Sequence, residues 1–314
     1  MLIIKNKFLL FLVFILILYI LIFYICLDKL DKISIYYLIR YKIFYNKIEY
    51  SIYKILYTIY LFILTPFKYN MYFSHISEGG IYYSYIFKYY PKLGCDMNKK
   101  LYWNKIFNKN DINHPKLVAY IIDNKLYKLD NIIEDENYIC KPNYGALGYK
   151  IFKIKGKEIK QSKNKYNNVI FQQMLKDCMS KEVRHFRYVS LHNGTSFTLY
   201  ELVAKDNSIV SNHSAGGTEN KCTPISCEHL TNKENNEINQ MIKKLSELHK
   251  KLYPMIFSIG WDIMLDCSNK ILKSYCLEGN IGHSTWNYPE PINKKLILSY
   301  KNKCYNFLDK NKYI

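Results

Sequence analysis

No CxxC pair occurs anywhere in this 314-residue chain, and its nine cysteines are an odd number. They are scattered as Cys26, Cys95, Cys140, Cys178, Cys222, Cys227, Cys267, Cys276 and Cys304. That pattern argues against a disulfide framework and for reduced thiols in a cytosolic setting. Cys222, Cys227 and His229 lie close enough in sequence to suggest zinc, but the spacing is not that of the common fingers and no fourth ligand is evident. Acids are outnumbered: 26 Asp and Glu face 45 Lys and Arg, for a net charge of +19. Such a charge suits nucleic acid or an anionic membrane surface. No zinc finger, helix-turn-helix pattern or paired aromatic motif supports the first, so no nucleic-acid partner is expected. Heavy use of Lys, Asn, Ile and Tyr, with 32 Tyr, offers another origin for the charge, because AT-rich codons alone would inflate lysine. A GK[ST] phosphate-loop ending is absent. So is any Ser-His-Asp or Cys-His constellation for nucleophilic catalysis. There is no internal repeat.

What is present begins with a long apolar run. Phe8 to Leu27 is twenty residues without a charge. At 1.5 Å per residue a helix of that length crosses a bilayer core of about 30 Å. The run is too long for a signal-peptide core, and no small-x-small cleavage site follows it. Residues 1–32 are therefore expected to form an uncleaved, single-pass membrane anchor. Lys29, Lys32, Arg40, Lys42 and Lys47 outnumber Lys5 and Lys7, which places the bulk of the chain in the cytosol. Residues 33–98 read as a juxtamembrane helical region. Within it Ile55 to Phe67 is apolar but only thirteen residues long, which suits a membrane-surface helix, with a second span making a hairpin left open.

Further on the chain becomes globular. Residues 101–109 look helical and Leu117 to Ile122 is a short apolar strand. Asn137 to Ile154 reads as strand, glycine-bearing loop, strand, and Asn168 to Leu175 as another strand. Val183 to Leu191 and Ser196 to Ala204 form a two-strand meander, followed by the loop "SNHSAGGTENKCTP". Ile238, Met241, Ile242, Leu245, Leu248 and Leu252 recur at helical spacing until Pro254. Two strands follow, and residues 293–314 form a basic closing helix. Strands and helices mix without a βαβ rhythm, so the fold class is α+β.

Three polar residues stand inside the last two strands, in "IGWDIMLDCSNKILKSYCLEGN". A symmetric hairpin centred on Lys270 places Asp262 opposite Glu278, with Cβ atoms about 5 Å apart. Asn280 is two residues beyond Glu278 and shares its face. Two carboxylates that close repel unless a cation lies between them, and oxygen ligands of this kind suit Mg²⁺ or Mn²⁺. An ordinary hairpin with two surface acids would look the same taken alone. Upstream, however, "ICKPNYGALG" sets Lys141 at a strand end just before a glycine loop. Lysine offers a point charge for phosphate, and glycines let backbone N–H groups close on phosphate oxygens. Together the two features read as nucleotide plus divalent metal.

In this order the motifs "CKPNYGALGYKIFKI", "VIFQQML", "FRYVSL" and "GWDIMLD…LEGN" resemble the ATP-grasp superfamily of carboxylate–amine ligases. With "VSNHSAGG" and "YCLEGN" added, the chain is most similar to the sugar-transfer-associated ATP-grasp proteins. The resemblance covers about residues 99–290. It implies an ATP-grasp fold over 99–292, two α+β lobes gripping ATP. It makes Lys141 the lysine that holds the α- and β-phosphates, under a lid from Gly145 to Gly148. Lys105 corresponds to the first-lobe nucleotide lysine, with Lys109 as its rival. Gln172, Gln173 and Leu175 fall at the hinge that reads adenine, where many relatives carry Glu. Arg187 would steady the transferred phosphoryl group. Asp262, Glu278 and Asn280 would hold the metal, Glu278 bridging two ions. Acceptor contacts would come from Asn212 to Glu219, including Asn212 and Gly217, and from "IGHSTW" with His283, His213 and His283 being possible proton shuttles.

The chemistry implied is attack of a carboxylate on the γ-phosphate of ATP, then of an amine on the acyl-phosphate. The products are an amide, ADP and phosphate. ATP and Mg²⁺ (or Mn²⁺) are the expected cofactors, with an unknown carboxylate and amine, on a glycan or cell-surface precursor, as substrates. Two rival readings stay open: a kinase of the same fold that phosphorylates its acceptor directly, and a non-catalytic nucleotide-binding scaffold.

Overall fold

The computed structural model describes residue 86 and residues 89–144, 150–162, 165–177, 183–204, 208, 218–222, 227–268, 270–281 and 292–311. The chain divides into two compact units. One is Tyr89–Pro289, and the other joins Met1–Lys88 with Glu290–Ile314. In the second unit a helix runs over Ile292–Lys310, where the basic closing helix was expected. The apolar run Phe8 to Leu27 and the segment Ile55 to Phe67 lie outside the described residues. Among the described residues no helix is long and apolar enough to cross a membrane.

Tyr89–Pro289 opens with two helices, α1 (Pro91–Met97) and α2 (Lys100–Lys109). Its first sheet contains β1 (Leu117–Ile122), β2 (Lys125–Lys128), β3 (Asn137–Pro142), β4 (Phe152–Lys155) and β5 (Val169–Gln173), with a short α3 (Gly156–Gln161) between β4 and β5. The order across the sheet is β2-β1-β5-β3-β4, and every pairing is antiparallel. β2 was not expected from sequence. It forms because Asp123 and Asn124 both take positive φ, 50° and 59°, which folds β1 back through a two-residue turn. Asn and Asp are the non-glycine residues that tolerate that conformation best. Val118, Ile121, Tyr138, Cys140, Ile159 and Phe171 are among the residues that make the core on this sheet.

The second sheet contains β6 (Arg184–Leu191), β7 (Ser196–Val203), β8 (Thr218–Lys221), β9 (Ser258–Asp266) and β10 (Lys273–Asn280). Its order is β10-β9-β6-β7-β8, again antiparallel throughout. β8 lies inside the stretch read as a loop; polar "TENK" carries no alternation to announce it, and it forms by pairing with β7. Two all-antiparallel sheets with separate helices are an α+β arrangement, and they explain why no βαβ rhythm is seen.

α4 (Asn232–Leu252) follows β8. Thr231 caps it, and Glu234 reaches back to the Thr231 N–H, so a capping box starts the helix six residues before its first apolar position, Ile238. Its stripe of Ile238, Met241, Ile242, Leu245 and Leu248 is buried. Polar contacts seat it on the sheet: the Tyr188 hydroxyl lies 2.6 Å from Ser246 Oγ, and Ser190 Oγ lies 2.7 Å from His249 Nδ1. The two sheets are tied after β5, where Asp266 Oδ1 at the end of β9 accepts from the Lys176 N–H at 2.7 Å.

The cysteines depart from expectation. Cys222 and Cys227 form a disulfide, and Cys267 is also disulfide-bonded. A pair separated by five positions closes on itself with its Cα atoms 4.2 Å apart. A search for CxxC or a regular framework misses such a pair. The thiol argument for a reducing compartment therefore falls away, and so does zinc at Cys222, Cys227 and His229, because His229 Nε2 instead meets Glu201 Oε2 at 2.6 Å. Cys95, Cys140 and Cys276 are free thiols.

Candidate active site

Register decides what meets on the open face of the second sheet. Glu278 pairs directly with Asp262, as the hairpin centred on Lys270 requires. Nearer the turn the register changes: Cys276 pairs with Ile263, leaving Leu277 as an extra residue in β10. Such a bulge turns one strand over locally. Without it Glu278 would stand opposite Trp261 and face the helices instead. On the other side of β9, Asp262 pairs with Arg187 of β6. Side chains alternate along a strand, so Arg187 and His185, Asp262, and Glu278 with Asn280 form one row across three strands.

The row is bonded. Both nitrogens of the Arg187 fork face Asp262: Nε meets Oδ1, and Nη2 lies 3.1 Å from Oδ2. Asn280 Nδ2 lies 3.2 Å from Asp262 Oδ2 and 3.5 Å from Glu278 Oε1. His185 Nε2 is 3.6 Å from Asp262 Oδ1. Lys141, at the end of β3 in the first sheet, is buried beside this row. Burial pushes its ammonium down to about 8, against the pull of Glu278. Burial alone would raise the Glu278 carboxyl. Lys100, Lys141 and Arg187 outweigh that effect and hold it below the ordinary carboxylate range. For Arg187 burial works against the charge, and Asp262 more than compensates. His185 is pushed down by burial, with Asp262 opposing.

Lys100 is the residue that sequence reading missed. Its Nζ lies 3.3 Å from Glu278 Oε2, and its side chain is 9% exposed. Lys105 and Lys109, the two candidates from the motif resemblance, are exposed on α2 and are not part of the row. A signal existed. Lys100, Trp103, Asn104 and Phe107 are the buried positions of α2, so Lys100 lies on the helix's apolar stripe at i−3 from Trp103. A lysine on that stripe must find an anion or stay in water.

Three cations, Lys100, Lys141 and Arg187, thus surround two carboxylates, Asp262 and Glu278. The two acids thus meet positive partners from the chain itself. The donor set also fits a hard divalent cation. Two carboxylates and the Asn280 amide lie within 3.5 Å of one another, and turning the amide over would present its oxygen. Among the described residues no group of three His, Cys, Asp or Glu is arranged to hold a metal. A cation here would therefore rest on two acids and one amide.

The hinge candidates lie on and just after β5. Gln172 is buried, with Nε2 3.4 Å from Pro115 O, while the Gln173 N–H donates to Lys116 O at 2.9 Å. Leu175 is buried in the connection that Asp266 pins. Gly145, Gly148, Asn212, Gly217 and His283 lie outside the described residues.

Fold and site together define an α+β protein whose two antiparallel sheets bring buried lysines, an arginine, two acids and an amide to one place. No family model matches the chain, and no curated protein matches it. Among solved structures it is similar to the D-alanine–D-alanine ligase of Bacillus anthracis complexed with ATP, at 14% identity and a TM-score of 0.43, covering 69% of this chain and 66% of that one. The D-alanyl-alanine synthetase A of Vibrio cholerae gives 15% identity and a TM-score of 0.47, covering 69% and 67%. The L-amino acid ligase of Bacillus licheniformis gives 13% and 0.41, and the match spans 60% of this chain but only 41% of that ligase.

Proposed function

We propose that the chain is an Mg-ATP-dependent carboxylate–amine ligase of the ATP-grasp type, within it nearest the sugar-transfer-associated branch. The observation that carries this reading is the convergence on Glu278 of Lys100 from α2, Lys141 from the first sheet and the Arg187–Asp262 pair from the second. A polyphosphate is the anion that three buried cations at one point would take. Lys100 and Lys141 would hold phosphate oxygens, and Arg187 would pass from Asp262 to the transferred phosphoryl group. Asp262, Glu278 and Asn280 would hold Mg²⁺, which supplies charge neutralisation at the β- and γ-phosphate oxygens. The backbone from Gln172 to Leu175 would meet the adenine. The acid partner attacks the γ-phosphate, and the acyl-phosphate so formed yields an amide to the amine. Asn212, Gly217 and His283 are the candidates for acceptor contacts. The substrate is a glycan or cell-surface precursor, and residues 1–32 anchor the chain; the excess of Lys and Arg after the apolar run supports a catalytic unit facing the cytosol, against which the Cys222–Cys227 bond stands.

The test is acceptor-dependent ADP release by the full-length chain, screened over amino acids and amino sugars, with product analysis. An amide product is expected. A phosphorylated acceptor with no amide would convert the reading to a kinase. Glu278→Gln is expected to fold normally and to lose ADP formation by about a hundredfold or more, as removal of a charge at a phosphoryl-transfer site does. An unchanged rate would remove the metal assignment.

A further inference from the structure

α2 starts without a cap of its own. Its N-cap residue, Lys99, makes no side-chain cap bond. The first N–H groups of a helix need acceptors from elsewhere. Here they come from a residue far away in sequence. Asn143 takes the Lys100 N–H on its backbone oxygen at 2.9 Å and the Leu101 N–H on Oδ1 at 3.0 Å. Asn143 is 3% exposed, and its own N–H donates to Asn168 O at 2.7 Å. The flanking residues Lys99 and Tyr144 form an antiparallel bridge, with Lys99 Nζ 5.8 Å from the Tyr144 ring centre.

The place of this contact is what matters. Asn143 follows Lys141 by two residues, directly beyond the end of β3 in the first sheet. The helix it grips begins with Lys100 and packs on the second sheet, Trp103 against Trp261 with ring centres 5.2 Å apart. Lys100 on α2 therefore bonds Glu278, Lys141 on β3 acts on the same carboxylate through its charge, and one buried side chain joins the backbones that carry the two lysines.

We infer that Asn143 is a positioning residue: by capping α2 across the two sheets it sets Lys100 relative to Lys141 and Glu278, and so sets the phosphate-binding geometry. This rests on the nucleotide reading above. An ordinary cap would only stabilise the helix. A positioning residue must also act through Lys100, and that is measurable.

The experiment is calorimetric titration of Mg-ATP into the full-length wild-type chain, Asn143→Ala, Asn143→Asp, Lys100→Met and the double variant Asn143→Ala/Lys100→Met, with melting temperatures alongside. Asn143→Ala and Lys100→Met are each expected to weaken binding about tenfold, the worth of one charge-assisted contact. The double variant is expected to bind about as weakly as Lys100→Met alone, because the two act on one contact. Asn143→Asp keeps an acceptor oxygen on a stem of the same length and is expected to stay within about threefold of wild type. If Asn143→Ala does not fold, Asn143→Ser, whose acceptor stops one bond shorter, is expected to fall between alanine and wild type, and wild-type affinity in it overturns the inference. Additive losses in the double variant, or a lowered melting temperature with unchanged affinity in Asn143→Ala, overturn it too. Wild-type chain that binds no Mg-ATP overturns the nucleotide reading and this inference together.

Discussion

His249 shows how a single residue in this chain couples fold to pH. It sits at the end of α4, fully buried, with Nε2 2.8 Å from the backbone oxygen of Ile256 and Nδ1 2.7 Å from Ser190 Oγ. A backbone carbonyl only accepts, so Nε2 carries the proton and Nδ1 accepts from the Ser190 hydroxyl. Ser190 Oγ in turn accepts from Trp261 Nε1 at 2.8 Å. With a neutral imidazole this chain of donors has one consistent direction. Burial accordingly pushes His249 down to about 4 from its ordinary 6.5. Below pH 6.5 the unfolded chain takes up a proton that the folded chain refuses. The stabilisation is complete above 6.5 and is lost as pH falls towards 4. At 1.36 kcal/mol per pKa unit the loss amounts to about 3 kcal/mol. Denaturant unfolding at pH 7.5 and at pH 4.5 is expected to show this loss in wild type and a smaller one in His249→Gln. Equal losses in both would mean that His249 does not carry the dependence.

At the scale of elements, β10 serves the site with one face and the packing of α2 with the other. Glu278 and Asn280 face the site while Gly279, between them, faces α2. A Cβ at Gly279 would stand 2.7 Å from Trp103 Cζ2 and 2.9 Å from the Trp261 ring. Both rings are buried and meet edge to face where α2 packs on the sheet, so neither can give way cheaply. Gly279→Ala is expected to cost about 1–3 kcal/mol, in the range of overpacked cores, and to lower the urea midpoint of the full-length chain accordingly. A midpoint unchanged from wild type would show that the helix moves aside freely. The glycine of "LEGN" is thus explained by packing, and its two neighbours by the site. The pairing of Asp262 with Glu278 was legible from spacing alone. The bulge at Leu277 was not: nothing in "YCLEGN" marks an extra residue, and it forms because the apolar face of β10 and its acidic end demand different registers.

For the whole molecule, the site lies within Tyr89–Pro289, and the apolar run Phe8 to Leu27 lies in the other compact unit. The anchoring proposed for that run is open to direct measurement. The full-length chain is expected to pellet with membranes, to stay there in high salt and alkaline carbonate, and to be released by detergent, as a spanning helix requires. Release by carbonate alone would reduce the run to surface association. The charge of +19 adds to this only where the membrane surface is anionic.

The sequence by itself determined the α+β class, the long helix α4, the pairing of Asp262 with Glu278 and the place of Lys141 at a strand end, because each is written in local periodicity or in residues a few positions apart. Only the tertiary structure decided that Lys100 and not Lys105 is buried beside Glu278, that Asn143 caps α2, that His185 and Arg187 line up beside Asp262, and that Cys222 bonds Cys227. Asn143 caps a helix 42 residues earlier, and Arg187 pairs with an acid 75 residues later. Contacts of that separation leave no periodic trace in a chain. They follow from how two sheets and a helix close on one another, which is where the charges of this site find their partners.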